Sequence, residues 1–396
     1  MSELAPGPWL RLTALGASAA TLLAVVSGSL GLGTAHRVLA ALAVPPLAAL
    51  VAAGWVAYRR LLAPSLAALA LFGAAALITG SDALHVGFAA AAFAATLICA
   101  AATFRGVPVA NGPPRDYVTL TKPRIMSLLL LTGGCGMVVG ARGWPGTVSF
   151  LVTMLGLALA CGGASALNHV LDADIDRLMG ERTERRPVAA GRVPAPRALE
   201  FGLALSALSF VLLASAVNAL TATLALVGNL FYVLVYTKYL KRSTPQNIVI
   251  GGAAGAVPPL VGWAAATGNL SLPALWLFLI VFFWTPPHFW ALALLLKENY
   301  AAARVPMLPV VRGERRTVRE ILAYTVGLIG VTTLPFAWGT AGFAYLASAL
   351  VLGGVFLAGA LALVRNTDRR RAGLLFHYSL AYLALLFVAM ALDPLL

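Results

Sequence analysis

Apolar runs of about 17 to 25 residues recur along the whole of this 396-residue chain, about thirteen of them. That recurrence leaves little choice of fold. Hydrocarbon offers backbone N–H and C=O groups no water, so each run must satisfy its own hydrogen bonds as a helix. The expected class is therefore an all-α polytopic membrane protein. Charged residues make up only 11% of the chain, where a soluble domain carries roughly 25%.

The net charge of +14 invites a nucleic-acid reading, but its distribution argues against one. Nearly all Lys and Arg fall in alternate gaps between the apolar runs, and the other gaps hold only Arg37 and Arg142. This is the positive-inside asymmetry. It predicts a multi-pass protein of the cell membrane with its N-terminus and charged loops in the cytoplasm and its C-terminus outside. The partners expected on this ground are the lipid bilayer and an anionic substrate. The first run lacks a basic segment and a small-residue cleavage site, so it reads as a retained span. Cys99, Cys135 and Cys161 lie in apolar runs without a Cys-x-x-Cys pattern and read as packing residues.

The best break in the chain is the Pro/Gly-rich segment 104–115. It divides four spans at 1–103 from nine at 116–396. The four-span unit has few polar groups. His36 and His85 begin two spans that run in the same direction, which brings both imidazoles to the outer edge of a bundle. That arrangement suits a bis-histidine haem. Two interfacial histidines beside Arg37 and Asp82 are the alternative.

The larger unit holds the chemistry. Of 14 acidic residues, five fall between Asp172 and Glu184 in N-H-V-L-D-A-D-I-D-R-L-M-G-E-R-T-E-R-R-P, residues 168–187. Acids at the end of a span are costly unless they work or reach water. Asn168, Asp172 and Asp176 recur every fourth residue, drifting only about 40° per step around a helix. One amide and two carboxylates thus share a face, and Asp174 points away. Arg182, Arg185 and Arg186 follow. Carboxylates with arginines beyond them suit a magnesium-bridged diphosphate, because Mg²⁺ takes one or two carboxylates plus water and phosphate oxygens and arginine takes the rest. A solvated loop whose charges pair with one another is the alternative.

Other cations cluster at the same side. Lys122 and Arg124 flank Pro123, and Lys238, Lys241 and Arg242 precede a span entry with glycines at 251, 252 and 255. Either set could hold an anion or simply anchor helix ends. His288 lies within an apolar run in P-P-H-F-W, and Glu298 and Asn299 follow at its charged end. These two ends could form two walls of one diphosphate site.

Taken together, the stretches L-T-K-P-R, N-x-x-x-D-x-x-x-D, R-T-x-x-R-P, Y-T-x-x-L-K-R-x-T-P-Q-N-I-V-I-G-G, P-P-H-F-W-A-L-A and V-P-M-L-P-V-V resemble the protohaem IX farnesyltransferase (haem O synthase) branch of the intramembrane aromatic prenyltransferases, over about residues 115–393. The resemblance implies a nine-helix bundle around a cavity open to the cytoplasmic leaflet. It implies farnesyl diphosphate as donor, haem B as acceptor and Mg²⁺ held by Asp172, Asp176, Glu298 and Asn299. The family usually has an acid where Asn299 stands, which puts a second full metal site in question. His288, then His169, are the residues expected to contact haem. Elements of residues 1–103 weakly resemble one half of haem A synthase, which adds to the case for a haem cofactor there without implying oxidation of haem O; haem relay, docking to a partner such as haem A synthase, and a relic are the roles left open. Rival readings are a prenyltransferase for a quinone precursor, a membrane transporter, or a haem-binding assembly module.

Overall fold

The computed structural model describes residues 7–29, 33–77, 82–103 and 112–393; positions 104–111 of the expected linker lie outside the described residues. All regular structure among them is helical. Four helices come first: α1 (Pro8–Ser29), α2 (Gly33–Val56), α3 (Arg59–Leu77) and α4 (Asp82–Thr103). A short α5 (Pro114–Leu120) leads into α6 (Pro123–Ala141) and α7 (Thr147–Leu171). The acidic stretch forms α8 (Ala173–Leu178) and α9 (Glu181–Glu184). Then come α10 (Ala195–Ala216) and α11 (Ala219–Leu230), which runs on as a π-helix (Phe231–Leu240) and ends in α12 (Lys241–Ser243). Next are α13 (Asn247–Gly255), α14 (Val257–Thr267), α15 (Leu272–Leu295), α16 (Lys297–Ala302) and α17 (Leu308–Val311). The last three are α18 (Gly313–Ala337), α19 (Phe343–Arg365) and α20 (Arg369–Leu392).

Twelve helical stretches among the described residues are long and apolar enough to cross a membrane, and α3 adds the shorter apolar segment Leu61–Leu77. That matches the roughly thirteen spans expected and makes this a multi-pass membrane protein. Large apolar side chains such as Leu151, Val351, Phe343 and Leu374 stand exposed on the helix surfaces, as a lipid-facing exterior requires. The three cysteines are unpaired thiols, Cys99 and Cys135 being buried and Cys161 partly so.

Close helix contacts use small residues. Backbone atoms of Gly133 in α6 meet Gly262 in α14, and Gly163 of α7 meets Gly202 of α10. This is how helices without a hydrophobic drive between them gain dispersion. Of the glycines at the α13 span entry, Gly251 faces the Tyr236 ring and Gly252 faces Thr285, but Gly255 has no atom in Cβ reach. The first four helices do not stand alone: Ala90 and Phe93 of α4 share a buried cluster with Leu157 of α7 and with Phe210 and Val211 of α10.

Candidate active site at the charged end of the bundle

Four elements meet at one end: the α5–α6 junction, the α7–α8 junction, the π-helix with α12, and the α8–α9 segment. The α7 helix breaks at Asp172, yet its backbone bonds carry the register across. Asp172 N donates to Asn168 O and Asp176 N to Asp172 O, both at 2.8 Å. The four-residue spacing therefore survives the break. Asn168, Asp172 and Asp176 are 3%, 1% and 1% exposed, whereas the Asp174 side chain is 63% exposed.

Cations ring the buried face. Lys122 Nζ donates to Asn168 Oδ1 at 2.7 Å, and Asn168 Nδ2 donates to Asp172 Oδ2 at 2.8 Å and to Thr237 Oγ1 at 3.1 Å. Lys241 Nζ donates to the same Asp172 Oδ2 at 2.6 Å. Arg186 Nη1 donates to Asp176 Oδ1 at 2.6 Å. Each aspartate thus has one satisfied oxygen. The other oxygens, Asp172 Oδ1 and Asp176 Oδ2, are buried with no partner. A buried carboxylate oxygen left bare is costly, so this pair is built for a cation brought from outside. The donor set suits magnesium, a hard ion satisfied with two carboxylates when water and phosphate oxygens complete its shell. Among the described residues no third acid, His or Cys joins them.

Lys122 is held in the left-handed region, φ 51°, which a residue with a side chain adopts at a cost of about 1–2 kcal/mol. The turn ahead of Pro123 aims its ammonium at Asn168. Burial pushes its pKa from 10.5 down to about 7, with Arg186 adding repulsion and Asp172 opposing. Its charge is lost as pH rises through about 7, so affinity for an inorganic diphosphate probe should weaken over that range, by up to tenfold per unit. Stability should move the other way. Between about 7 and 10.5 the unfolded chain carries a proton that the folded one lacks, so stability rises with pH there. Isothermal titration with diphosphate and melting curves over the same pH range check both slopes, and Lys122→Met should flatten them.

Not all expected residues converge. Arg242 grips Asp174 through two bonds of 2.7 Å and donates to Leu171 O at 2.6 Å. It holds Asp174 at a pKa of about 2 and fastens the π-helix end to α8. Arg124 and Lys238 are exposed and make no ion pair among the described residues. The wider i→i+5 register of the π-helix turns Thr237 and Lys241 inward and Lys238 out. The Arg182 side chain lies outside the described residues. Glu298 is exposed, so the structure does not bring it to the aspartates. Asn299 does come near, but its Nδ2 donates to Met179 O at 2.7 Å, so it latches α16 to the acidic segment.

The histidines differ among themselves. His288 is buried, stacked between Trp284 at 4.4 Å and Phe376 at 4.8 Å. Its Nδ1 bonds Ser379 Oγ at 2.7 Å, and that hydroxyl donates onward to Phe376 O, which leaves Nε2 as the nitrogen with a lone pair to offer. His169 is 2% exposed and neither ring nitrogen has a partner. At the far end of the first four helices, the rings of His36 and His85 stand 5.7 Å apart, edge to face. His36 Nδ1 donates to Ala24 O at 2.9 Å and His85 Nδ1 to Ala75 O at 2.7 Å.

Two contributors were not expected from sequence. Thr237 sits one turn before Lys241, a spacing that becomes readable only once the register is known. Asp116 is buried and takes Arg192 Nε at 2.8 Å and Nη2 at 3.2 Å, which holds its pKa low. Arg192 also donates to Arg185 O, so α5 straps the loop that carries Arg186.

Fold and site together define a polytopic helical membrane protein with a buried, cation-ringed carboxylate pair at one end. The chain belongs to the UbiA prenyltransferase family, whose model matches residues 129–388. It is 53% identical over 279 residues to a "Protoheme IX farnesyltransferase" of Thermus thermophilus, covering 70% of this chain and 46% of that protein. It is 54% identical over 281 residues to the protein of the same name in Symbiobacterium thermophilum, covering 70% of this chain and 94% of that one. The chain thus spans about half the length of the first of these relatives and nearly all of the second. The fold is shared with a UbiA homologue from Archaeoglobus fulgidus solved with GPP and Mg²⁺, at a TM-score of 0.53 and 17% identity over 69% of this chain and 99% of that one.

Proposed function

We propose that residues 116–396 transfer a farnesyl group from farnesyl diphosphate to a vinyl group of haem B, with water addition giving haem O and diphosphate. The observation that carries this reading is the pair of bare oxygens on Asp172 and Asp176 inside the ring of Lys122, Lys241 and Arg186. The names of the relatives at over 50% identity support the acceptor. Asp172 and Asp176 would hold Mg²⁺, which supplies neutralisation of the leaving diphosphate when bound. The chain's own part is to orient and balance charge. Asn168 fixes Asp172 and Lys122 relative to each other, and Lys241 and Arg186 stand ready for phosphate oxygens. The C1–O bond of the donor breaks, C1 joins the terminal vinyl carbon, and water adds to the inner carbon with loss of a proton. A dry helical setting protects the allylic cation from early capture. His288, through Nε2, and His169 are the proposed haem contacts. In this reading the site end faces the cytoplasm and the C-terminus lies outside the cell membrane.

The test is turnover by the purified chain in detergent with haem B, farnesyl diphosphate and Mg²⁺, the product haems read by mass. A hydroxyethylfarnesyl adduct that vanishes with chelator is expected. Haem left unmodified while 4-hydroxybenzoate is prenylated would move the acceptor to quinone precursors.

A second site is favoured by His36 and His85. Each Nδ1–H is spent on a helix carbonyl, which fixes both tautomers with Nε2 free. Two such rings 5.7 Å apart suit a bis-imidazole haem, and we assign that role to the unit 1–103, as haem relay or as the dock for haem A synthase. The purified chain should carry a low-spin haem spectrum that either His36→Ala or His85→Ala removes. An unchanged spectrum in both variants would overturn the assignment.

A further inference from the structure

A cavity of about 530 Å³ lies between the start of α13, α15, α17 and the first half of α18, apart from the aspartates. Gln246, one of its lining residues, precedes α13 at the charged end of the bundle. Its rim is polar. Arg312 is exposed and makes no ion pair among the described residues, while Arg316 is held by Glu320 at 2.6 Å. Arg312 and Tyr324 lie about 18 Å apart along the α18 axis at 1.5 Å per residue, so the lining passes from the charged helix end toward the apolar interior. There Trp290 and Tyr324 meet edge to face at 5.4 Å. Trp290 is 1% exposed, and its indole N–H is buried without an acceptor. Buried indole N–H groups normally find a partner.

A guanidinium with no carboxylate to answer it, an aromatic wall and an unmet donor are the chemistry for an amphiphile bearing an oxyanion. Two sources offer that chemistry, the carboxylates of a porphyrin and the phosphate of a leaflet lipid. We propose that the cavity is a docking subsite for the acceptor, on the face of α15 opposite His288, in which Arg312 pairs with a porphyrin carboxylate beside the Trp290 and Tyr324 wall. The aromatic wall of Trp290 and Tyr324 favours the porphyrin. The inference rests on haem being the acceptor.

Haem binding tests it without turnover. Absorbance titrations with haem B and with its dimethyl ester would be run on a His36→Ala, His85→Ala background, with Arg312→Gln and, as a shape-preserving second variant, Trp290→Phe. Arg312→Gln should weaken haem B binding about tenfold, the loss of one charge-assisted pair. It should leave diester binding unchanged, because the pairing carboxylate is already masked. Trp290→Phe should weaken haem B binding severalfold. Equal haem affinity in the parent and Arg312→Gln overturns the subsite. So does an equal loss for haem and diester, and recovery of that loss on adding anionic phospholipid would assign the cavity to lipid phosphate. Binding that falls as expected in a chain that never farnesylates haem would leave the subsite standing and remove only the activity assigned above.

Discussion

Asp172→Asn should lower turnover by about a thousandfold, and Asp176→Asn by a similar factor, while Asp174→Asn stays within about tenfold of the parent. The first two lose a charge at the bare oxygens to which the proposed function assigns the metal, where one well-placed group is worth about 10²–10³ in rate, and metal affinity should fall as well. Asn is the substitution to use because it preserves the shape and still accepts from Asn168 and Lys241 at position 172. An alanine there would strand the Lys241 ammonium, and breaking a buried pair costs about 3–5 kcal/mol, which would confuse misfolding with lost chemistry. Asp174 is different in kind. It is 63% exposed and bound to Arg242, and an exposed ion pair contributes about 1 kcal/mol or less. Initial rates at saturating Mg²⁺, with melting temperatures in the same detergent, separate the effects. Equal loss at all three positions would sink the argument from the helical face.

The same contrast shows what was legible in the sequence. Apolar runs report that a helix must exist, because lipid leaves the backbone no alternative, so the spans and their order could be read directly. The face shared by Asn168, Asp172 and Asp176 could be read because backbone bonds carry a four-residue register through the break at Asp172. Rotation about a helix axis is another matter. Lys238 and Lys241 look equivalent in the sequence, and only the π-helix decides that one leaves and the other enters. Lys122 and Arg124 are likewise alike in composition, yet a left-handed backbone ahead of Pro123, which local preference disfavours, sends only Lys122 inward. Asn299 reads as a weakened metal ligand in the sequence, which could not show that its Nδ2 donates to the Met179 carbonyl. The contact of α4 with α7 and α10 was hidden because alanine-rich faces carry no signal of what covers them.

Gly262→Ala should be the most damaging change outside the site. A Cβ at Gly262 would collide with the Gly133 carbonyl oxygen and crowd Met137 N across the α6–α14 contact. Those atoms are backbone in a helix, so no side chain can swing away, and only separation of the two helices relieves the clash. Overpacking usually costs about 1–3 kcal/mol and more where the surroundings cannot yield, so a loss of about 3 kcal/mol or more is expected. The effect should reach the chemistry too, because Lys122 caps α6 and its 2.7 Å bond to Asn168 cannot survive a shift of about 1 Å in that helix. Gly255→Ala is the matched control. It has no atom within Cβ reach, and in a helix alanine is favoured over glycine by about 1 kcal/mol. Thermal inactivation and the monodisperse fraction in detergent should fall sharply for Gly262→Ala and hold or improve for Gly255→Ala. If both glycines tolerate alanine equally, the close α6–α14 approach is not what sets the position of Lys122.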